Sequence, residues 1–269
     1  NSVYFGRVLR NTVIISLLSL LICFPLPIIF ALLLNEVRRL RFKKAVQTIT
    51  YMPYFISLVV LAGIIIDFTS SDGILGGTLM TALTGESKNL LADPQYFRAI
   101  MTVSELWQGL GYSSIIYVAT LSAVDQQLYE AAAIDGANRW QQTIHITIPE
   151  ISSTIIIMLI LKCGTMLAVG AEKIILLYNA NIYETADVIS TFVYRKGLQE
   201  FNYGYSTAVG MFNSVINFVL IVLFLIFLVI FLFGDMSKVK KITVSGCHLT
   251  SAEEIIERLP VKSKQTYFF

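Results

Sequence analysis

The sequence predicts an all-α, polytopic membrane protein with five transmembrane helices, on the strength of its composition and of its long apolar runs. Hydrophobic residues make up 55% of the 269 residues and charged residues 14%, with a mean hydropathy of +0.70. An ordinary soluble domain has about 25% charged residues. A large soluble core is the alternative, but turns would interrupt its apolar segments, whereas these runs are long enough to cross a bilayer of ~30 Å hydrocarbon.

The apolar runs lack the period-2 alternation of barrel strands, so each is predicted to be a helix that satisfies its own backbone hydrogen bonds. The five predicted spans are residues 12–34, 52–69, 97–121, 151–170 and 206–233. As a single helix rising ~1.5 Å per residue, the last run would measure about 42 Å, more than a bilayer requires. It therefore resembles two joined segments.

The segment after the first span sets the predicted orientation. Residues 35–44 read NEVRRLRFKK, with five basic residues and one acid, so the positive-inside rule places them in the cytoplasm. Alternation then places residues 122–150 and those after 233 inside, and residues 70–96 and 171–205 outside. It also places Asn1 outside, so we expect an initial helix to precede this sequence.

Several classes of function are disfavoured. The net charge of +2 gives no basis for a nucleic-acid partner. Cys23, Cys163 and Cys247 form no CxxC pair and are interpreted as packing residues, so no metal site is predicted. No phosphate-binding loop is evident, and no convergent His, Glu or Cys set suggests a membrane enzyme. Secondary transport is disfavoured because inverted repeats are not evident.

The most informative segment is residues 130–149, which read EAAAIDGANRWQQTIHITIP. Asp125 can cap a helix whose small residues 131–133 permit close approach by another protein. Gly136 would end that helix, a second short helix would follow, and Pro149 suits the start of the next span. Two short helices across the membrane surface would form a rigid knob. An ordinary amphipathic loop that packs on the protein itself remains the alternative.

This string resembles the EAA loop of type I ABC importer permeases, in the form found in their carbohydrate-uptake branch. The similarity extends over about residues 4–222, with Ile148 where Leu commonly precedes the proline. The family's first membrane helix has no counterpart in this sequence. Further runs are similar to polysaccharide permeases of the LplB type: LLNEV at 33–37, SELWQG at 104–109, EKIILLYN at 172–179 and YETADVIS at 183–190.

The resemblance implies a permease subunit, not an enzyme, in the bacterial cell membrane, which moves a carbohydrate, expected to be an oligosaccharide. It implies no cofactor, because ATP is used by a separate subunit. The implied partners are ABC ATPase subunits, a second permease subunit, an extracellular solute-binding protein and membrane lipid. The implied ATPase-docking residues are Glu130, Ala131, Ala132, Asp135, Gly136 and Ala137.

Polar residues at membrane depth are candidates for the solute path. Ionisable groups near hydrocarbon are costly and usually face a cavity or a partner, and an aromatic ring with polar neighbours suits a sugar. The alternative is that they anchor the helices at the membrane interface. The candidates are Asp67, Glu105, Trp107, Gln108, Lys162 and Glu172.

The C-terminal residues 223–269 change character, so we predict a boundary after a permease domain at residues 1–222. Residues 238–246 alternate like a strand and residues 250–259 read as a capped helix, a short α/β-like tail. Residues 237–257 resemble the start of the POTRA domain in DivIB/FtsQ-type cell-division proteins. The tail is therefore predicted to be foreign to the permease, with a variable permease tail that matches by chance as the alternative. A membrane scaffold of the division machinery is the second functional hypothesis.

Overall fold

The computed structural model describes the backbone of residues 3–167 and 170–233 and the side chains of residues 4–167 and 170–226. Across these ranges the protein is helical and contains no strand, which confirms the all-α class. The α/β-like segments predicted at 238–246 and 250–259 lie outside the described residues. The α-helices are α1 (Val3–Leu18), α2 (Pro25–Glu36), α3 (Leu40–Tyr51), α4 (Leu58–Thr69), α5 (Met80–Thr84), α6 (Pro94–Ser122), α7 (Gln126–Ile134), α8 (Arg139–Gln142), α9 (Ile148–Gly164), α10 (Ala171–Leu177), α11 (Tyr183–Ala186), α12 (Ile189–Tyr194) and α13 (Tyr203–Phe233).

Short turns of other helical types join several of these helices. They keep the chain helical while they change its direction or register. The π-helical turns are Ser19–Cys23, Ile74–Leu79, Thr143–Thr147 and Arg195–Gln199. The 3-10 turns are Met52–Phe55, Leu90–Ala92 and Ala180–Ile182.

Four helical stretches in the described part of the chain are long and apolar enough to cross a membrane. They are Tyr4–Glu36, Leu58–Thr84, Arg139–Gly164 and Tyr203–Ile226. The predicted span at 97–121 falls within α6, whose 29 residues correspond to about 43 Å. It is long enough to span but more polar than the other four, because its interior carries groups such as Arg98 and Glu105.

The second predicted span, 52–69, is wrong in its first part. Residues 52–55 form a 3-10 turn, the chain becomes extended at Ile56, and α4 begins only at Leu58. The Ser57 hydroxyl accepts the Val60 N–H at 3.4 Å and so caps α4. The basic segment 35–44 is likewise not one loop, because α2 ends at Glu36 and α3 already begins at Leu40.

The fourth predicted span, 151–170, is also displaced. Helix α9 runs from Ile148 to Gly164, and it continues without interruption from α8 through the π turn at 143–147. The second short helix predicted in the loop is therefore the first turn of this long helix. Pro149 lies in the first turn of α9, as predicted, although the preceding turns already supply helical backbone.

Helix α6 is the central packing element of the described bundle. Its N-terminal half contributes Phe97 and Met101 to one apolar cluster, and its C-terminal half contributes Tyr117 and Leu121 to another. Between them it crosses the end of α3 so closely that a Cβ at Gly111 would lie 2.1 Å from the Thr50 carbonyl oxygen. Glycine is thus required at this crossing, since any side chain would force the helices apart.

The chain divides into two compact units, Asn1–Phe218 and Val219–Phe269. All candidate site residues lie in the first unit. The second unit is described only for its helical part, which ends at Phe233. The domain boundary predicted at residue 222 and the foreign origin of the tail remain predictions.

Candidate coupling loop and polar cavity

Both ends of the short helix α7 are fixed by local chemistry, as the sequence predicted. The Asp125 carboxylate accepts the Gln127 N–H at 2.9 Å and caps the helix. Gly136 follows its last turn with a φ of +81°, a conformation that L side chains rarely adopt. The sequence reasoning missed the next cap, in which Asn138 and Gln141 exchange side chain to backbone hydrogen bonds at 2.8 and 2.9 Å. The N-x-x-Q pattern of a capping box would have predicted this helix start from the sequence.

The predicted docking residues form an accessible surface, which we call the coupling loop and define as residues 122–150. Of the six predicted docking residues, Ala132 and Ala137 are half-buried and the others are exposed. Two large apolar side chains of the loop are also exposed, Ile134 at 87% and Trp140 at 71%. Beside them is a hollow of about 300 Å³ lined by Ala132, Asp135, Gly136, Ala137, Gln141, Gln142, His145 and Ile146.

The coupling loop is attached to the helices around it. The Tyr129 hydroxyl forms a 2.9 Å hydrogen bond with the Thr147 hydroxyl, and this bond joins α7 to the π turn before α9. Arg139 pairs with Glu36, at the end of α2, at 3.2 Å. Tyr129 also packs against the apolar cluster that contains Tyr117. The loop therefore has an exposed outer face and a tethered inner face.

Two of the predicted solute-path residues meet in a polar cavity. Glu105 of α6 accepts the Lys162 ammonium of α9 at 3.1 Å, and the same carboxylate oxygen accepts the Ser19 hydroxyl at 2.6 Å. Both charged side chains are about one-third exposed. The cavity has a volume of about 130 Å³ and is lined by Ser16, Ser19, Leu20, Glu105, Lys162, Thr165 and Met166.

Lys173 of α10 is a buried charged residue that the sequence reasoning did not select. Its side chain is 6% exposed, and among the described residues it makes no hydrogen bond or ion pair. Burial lowers the pKa of the Lys173 ammonium, and the negative charge of Glu105 opposes that shift. The sequence signal was the EKIILLYN run, in which the neighbouring residue Glu172 was selected instead. Because successive residues of a helix point about 100° apart, Glu172 and Lys173 face different surroundings.

The remaining candidates do not join the cavity lining. Trp107 instead lines an apolar cavity of about 420 Å³ between α4 and α6. Asp67 and Glu172 are exposed, and Gln108 is half-buried. The structure thus brings together one pair of the six candidates, Glu105 and Lys162.

A second charged cluster lies at the other end of α1, and the sequence reasoning did not predict it. We call it the Asp187 network: Tyr4, Asp187, Thr191 and Arg195. The fully buried Asp187 carboxylate accepts Arg195 at 2.6 Å, Thr191 at 2.7 Å and the Tyr4 hydroxyl. Arg195 also donates to the Tyr4 hydroxyl at 2.6 Å, so the network ties α1 to α12 and the turn after it.

Comparison with known proteins gives concordant matches. The family described as binding-protein-dependent transport system inner membrane component matches residues 24–238. Protein LplB of Bacillus subtilis (strain 168) is 43% identical over 218 residues, which cover 81% of this chain and 68% of that protein. The polygalacturonan/rhamnogalacturonan transport system permease protein YteP of the same strain is 44% identical over 219 residues, with the same two shares.

A solved structure matches as well. A chain of the bacterial alginate ABC transporter, crystallised in complex with an alginate pentasaccharide-bound periplasmic protein, superposes with a TM-score of 0.80 and 44% identity. The match covers 83% of this chain and 77% of that one. This confirms the type I importer permease fold predicted from the EAA string.

The second hypothesis, a scaffold of the cell-division machinery, gains no support from these matches. It rested on residues 237–257, which lie outside the described residues, whereas the matched sequence covers most of the helical bundle. Several relatives are named as transport system permeases, YteP among them. The chain therefore belongs to the family of binding-protein-dependent transport system inner membrane components, as a multi-pass membrane permease of the sugar-transporting type and not an enzyme.

Proposed function

We propose that this chain is the permease subunit of an ATP-driven oligosaccharide importer and that its coupling loop docks on a separate ATP-hydrolysing subunit. A second permease subunit would complete the membrane pathway, and an extracellular solute-binding protein would deliver the sugar. The observation that carries the proposal is the exposed outer face of a loop whose inner face is tied to the bundle. Its docking residues would be Glu130, Ala131, Ala132, Asp135, Gly136 and Ala137, with Ile134 beside them.

The exposed apolar side chains support docking on another protein. Ile134 is 87% and Trp140 is 71% exposed, although burial of apolar area stabilises by roughly 25 cal/mol per Å². Large aromatic side chains of this kind are common anchors of interfaces. The hollow beside Gly136 offers a complementary recess for side chains of a partner. A partner surface that covers Ile134 and Trp140 would remove both from water.

The continuity of α8 and α9 supports a route for coupling. The stretch Arg139–Gly164 is helical over 26 residues, about 39 Å. Its first turn belongs to the coupling loop, and Lys162 lies near its other end. A displacement of the loop would therefore move the Lys162 ammonium relative to Glu105 on α6. Such a packed helix is a physical carrier of coupling between the two sites.

The names of relatives support the substrate class. YteP is described as a polygalacturonan/rhamnogalacturonan permease, and the superposed structure is an alginate transporter. Both names refer to polysaccharides, so an oligosaccharide fragment is the proposed cargo. The proposed path includes the Glu105–Lys162 cavity, with the other candidates, Asp67, Trp107, Gln108 and Glu172, as further contacts along it.

Gly136→Ile tests the coupling function. An added Cβ at Gly136 would meet nothing within 4 Å, so the variant is strained by its φ of +81° and not by a clash. A β-branched residue is a strong outlier there, and its bulk would stand at the docking surface. We expect normal membrane insertion, loss of ATPase co-purification, and a roughly tenfold or greater fall in solute-stimulated ATP hydrolysis.

Gly85→Ile is a matched control. Gly85 has a φ of +83° and equally open space for a Cβ, but it ends α5, in the segment predicted to be external. The control variant carries similar backbone strain and should retain both ATPase binding and hydrolysis. If Gly136→Ile left assembly and stimulated hydrolysis at the Gly85→Ile level, the docking assignment would be withdrawn.

A further inference from the structure

The connection from α2 to α3 and the first turn of α3 carry basic side chains without acidic partners. None of these side chains forms an ion pair within the described residues. The neighbouring acid, Glu36, is already paired with Arg139 of α8 at 3.2 Å. Lys43 is half-buried and the others are exposed. We call this group the basic cluster: Arg38, Arg39, Arg41, Lys43 and Lys44.

An exposed apolar stripe continues along α3 from the basic cluster. Its members, Phe42, Ile49 and Met52, are 59%, 67% and 66% exposed. At ~100° per residue, Ile49 and Met52 lie about 20° and 80° from Phe42 around the helix axis, so the three share one side. The half-buried residues of α3 lie on another side: Lys43, Val46, Gln47 and Thr50. The described bundle therefore leaves the stripe uncovered.

The length of the stripe corresponds to one leaflet of a bilayer. From Phe42 to Met52 the helix rises ~15 Å, at ~1.5 Å per residue, and the whole hydrocarbon core measures ~30 Å. The basic cluster belongs to the segment that the positive-inside rule places in the cytoplasm, so its charges would lie among the lipid headgroups of the inner leaflet. An acyl chain along the stripe would then extend from the headgroups to about the middle of the membrane.

We propose that the basic cluster and the apolar stripe form a binding site for an anionic phospholipid of the inner leaflet. The phosphate would contact Arg39 and Arg41, because guanidinium groups match phosphate oxygens in charge and geometry. One acyl chain would cover the stripe. Basic clusters directly beside a membrane helix attract anionic lipids, and the adjoining stripe adds a place for the tail. Such a site is independent of which solute the transporter carries.

Lipid binding to the complete transporter tests this site. The complex, with its second permease, ATPases and binding protein, is purified in detergent and titrated with phosphatidylglycerol or with phosphatidylcholine of identical acyl chains. Native mass spectrometry counts the lipids that stay bound. Glycerol 3-phosphate is the probe for the headgroup alone. We expect phosphatidylglycerol to bind about tenfold more tightly than phosphatidylcholine, and glycerol 3-phosphate to bind at least about a hundredfold more weakly than phosphatidylglycerol.

Two variants separate the headgroup from the tail. Arg39→Gln combined with Arg41→Gln should weaken the binding of one phosphatidylglycerol per transporter about tenfold and leave phosphatidylcholine unchanged. The other three basic residues remain, so the predicted orientation is kept. Ile49→Gln should weaken both lipids about threefold, because it places an amide in the stripe. Arg7→Gln combined with Arg10→Gln is the matched control, since it removes two exposed, unpaired charges from α1 and should retain every tightly bound phosphatidylglycerol.

Several results would overturn the lipid site. Equal binding of the two phospholipids, or the same loss in the α1 control, would show general attraction without a site. Glycerol 3-phosphate that bound as tightly as phosphatidylglycerol would exclude a role for the stripe. Unchanged lipid binding in the Arg39 and Arg41 variant, together with loss of the ATPase, would assign the basic cluster to protein docking. The lipid comparison on the wild type needs no variant, so it decides the matter even where a variant fails to assemble.

Discussion

The coupling loop and the Asp187 network differ in which side chains they expose to solvent and which they bury. The loop exposes the apolar side chains of Ile134 and Trp140 to water, whereas the network buries the charged side chain of Asp187 and most of that of Arg195. The buried charges are stable because the network satisfies them internally with several hydrogen bonds. The loop has no comparable internal partner for its apolar side chains in the described part of the chain. A region whose charged groups are all paired within the chain is therefore structural. A region whose apolar side chains lack partners within the chain is a surface that another protein can cover.

The largest effect is expected where the self-sufficient region is broken. Asp187→Asn would leave the mostly buried Arg195 without its counter-charge, and loss of one partner of a buried pair typically costs about 3–5 kcal/mol. We expect a strong drop in the thermal midpoint of the purified permease and in its abundance in the membrane. Glu200→Gln is the control, since it removes a carboxylate from the exposed Lys196–Glu200 pair. Equal stability of the two variants would show that the network does not hold α1 to α12.

An intermediate effect is expected from a neutral hydrogen bond at the same junction. The buried Thr12 hydroxyl accepts the Ile189 N–H at 2.9 Å. Thr12→Val leaves that N–H unsatisfied, at a cost of about 1–3 kcal/mol. Thr48→Val, at an exposed hydroxyl on α3, should change stability little. If Thr12→Val lowered the thermal midpoint more than Asp187→Asn does, the buried charge pair would not be the main source of stability in this region.

The smallest effect on stability is expected in the coupling loop, together with a large effect on assembly. Ile134→Ser removes a side chain that is 87% exposed, so stability should change by less than about 0.5 kcal/mol. Co-purification of the ATPase should fall, because the anchor is lost. Leu83→Ser, at a side chain 72% exposed in the segment predicted to be external, should leave assembly unchanged. Unfolding of Ile134→Ser, or undiminished ATPase binding, would contradict the contrast between the two regions.

The sequence predicted those parts of the site that depend on neighbouring residues. Asp125 caps α7 and Gly136 adopts positive φ, as the spacing indicated. The span boundaries at 52–69 and 151–170 were less accurate, because hydropathy does not reveal a 3-10 turn inside an apolar run or a helix that begins in polar sequence. The connection of α8 to α9 follows from backbone geometry, which composition does not report.

By itself the sequence determined the all-α membrane class and the position of the EAA loop, because periodicity, composition and caps act over a few residues. Only the tertiary structure decided which polar groups meet. Glu105 and Lys162 are 57 positions apart, and Tyr4 and Arg195 are 191 positions apart. Such pairs depend on which helix faces pack together, and a shift of one residue turns a helical side chain by about 100°. For this reason Lys173 is buried, whereas its neighbour Glu172 is exposed.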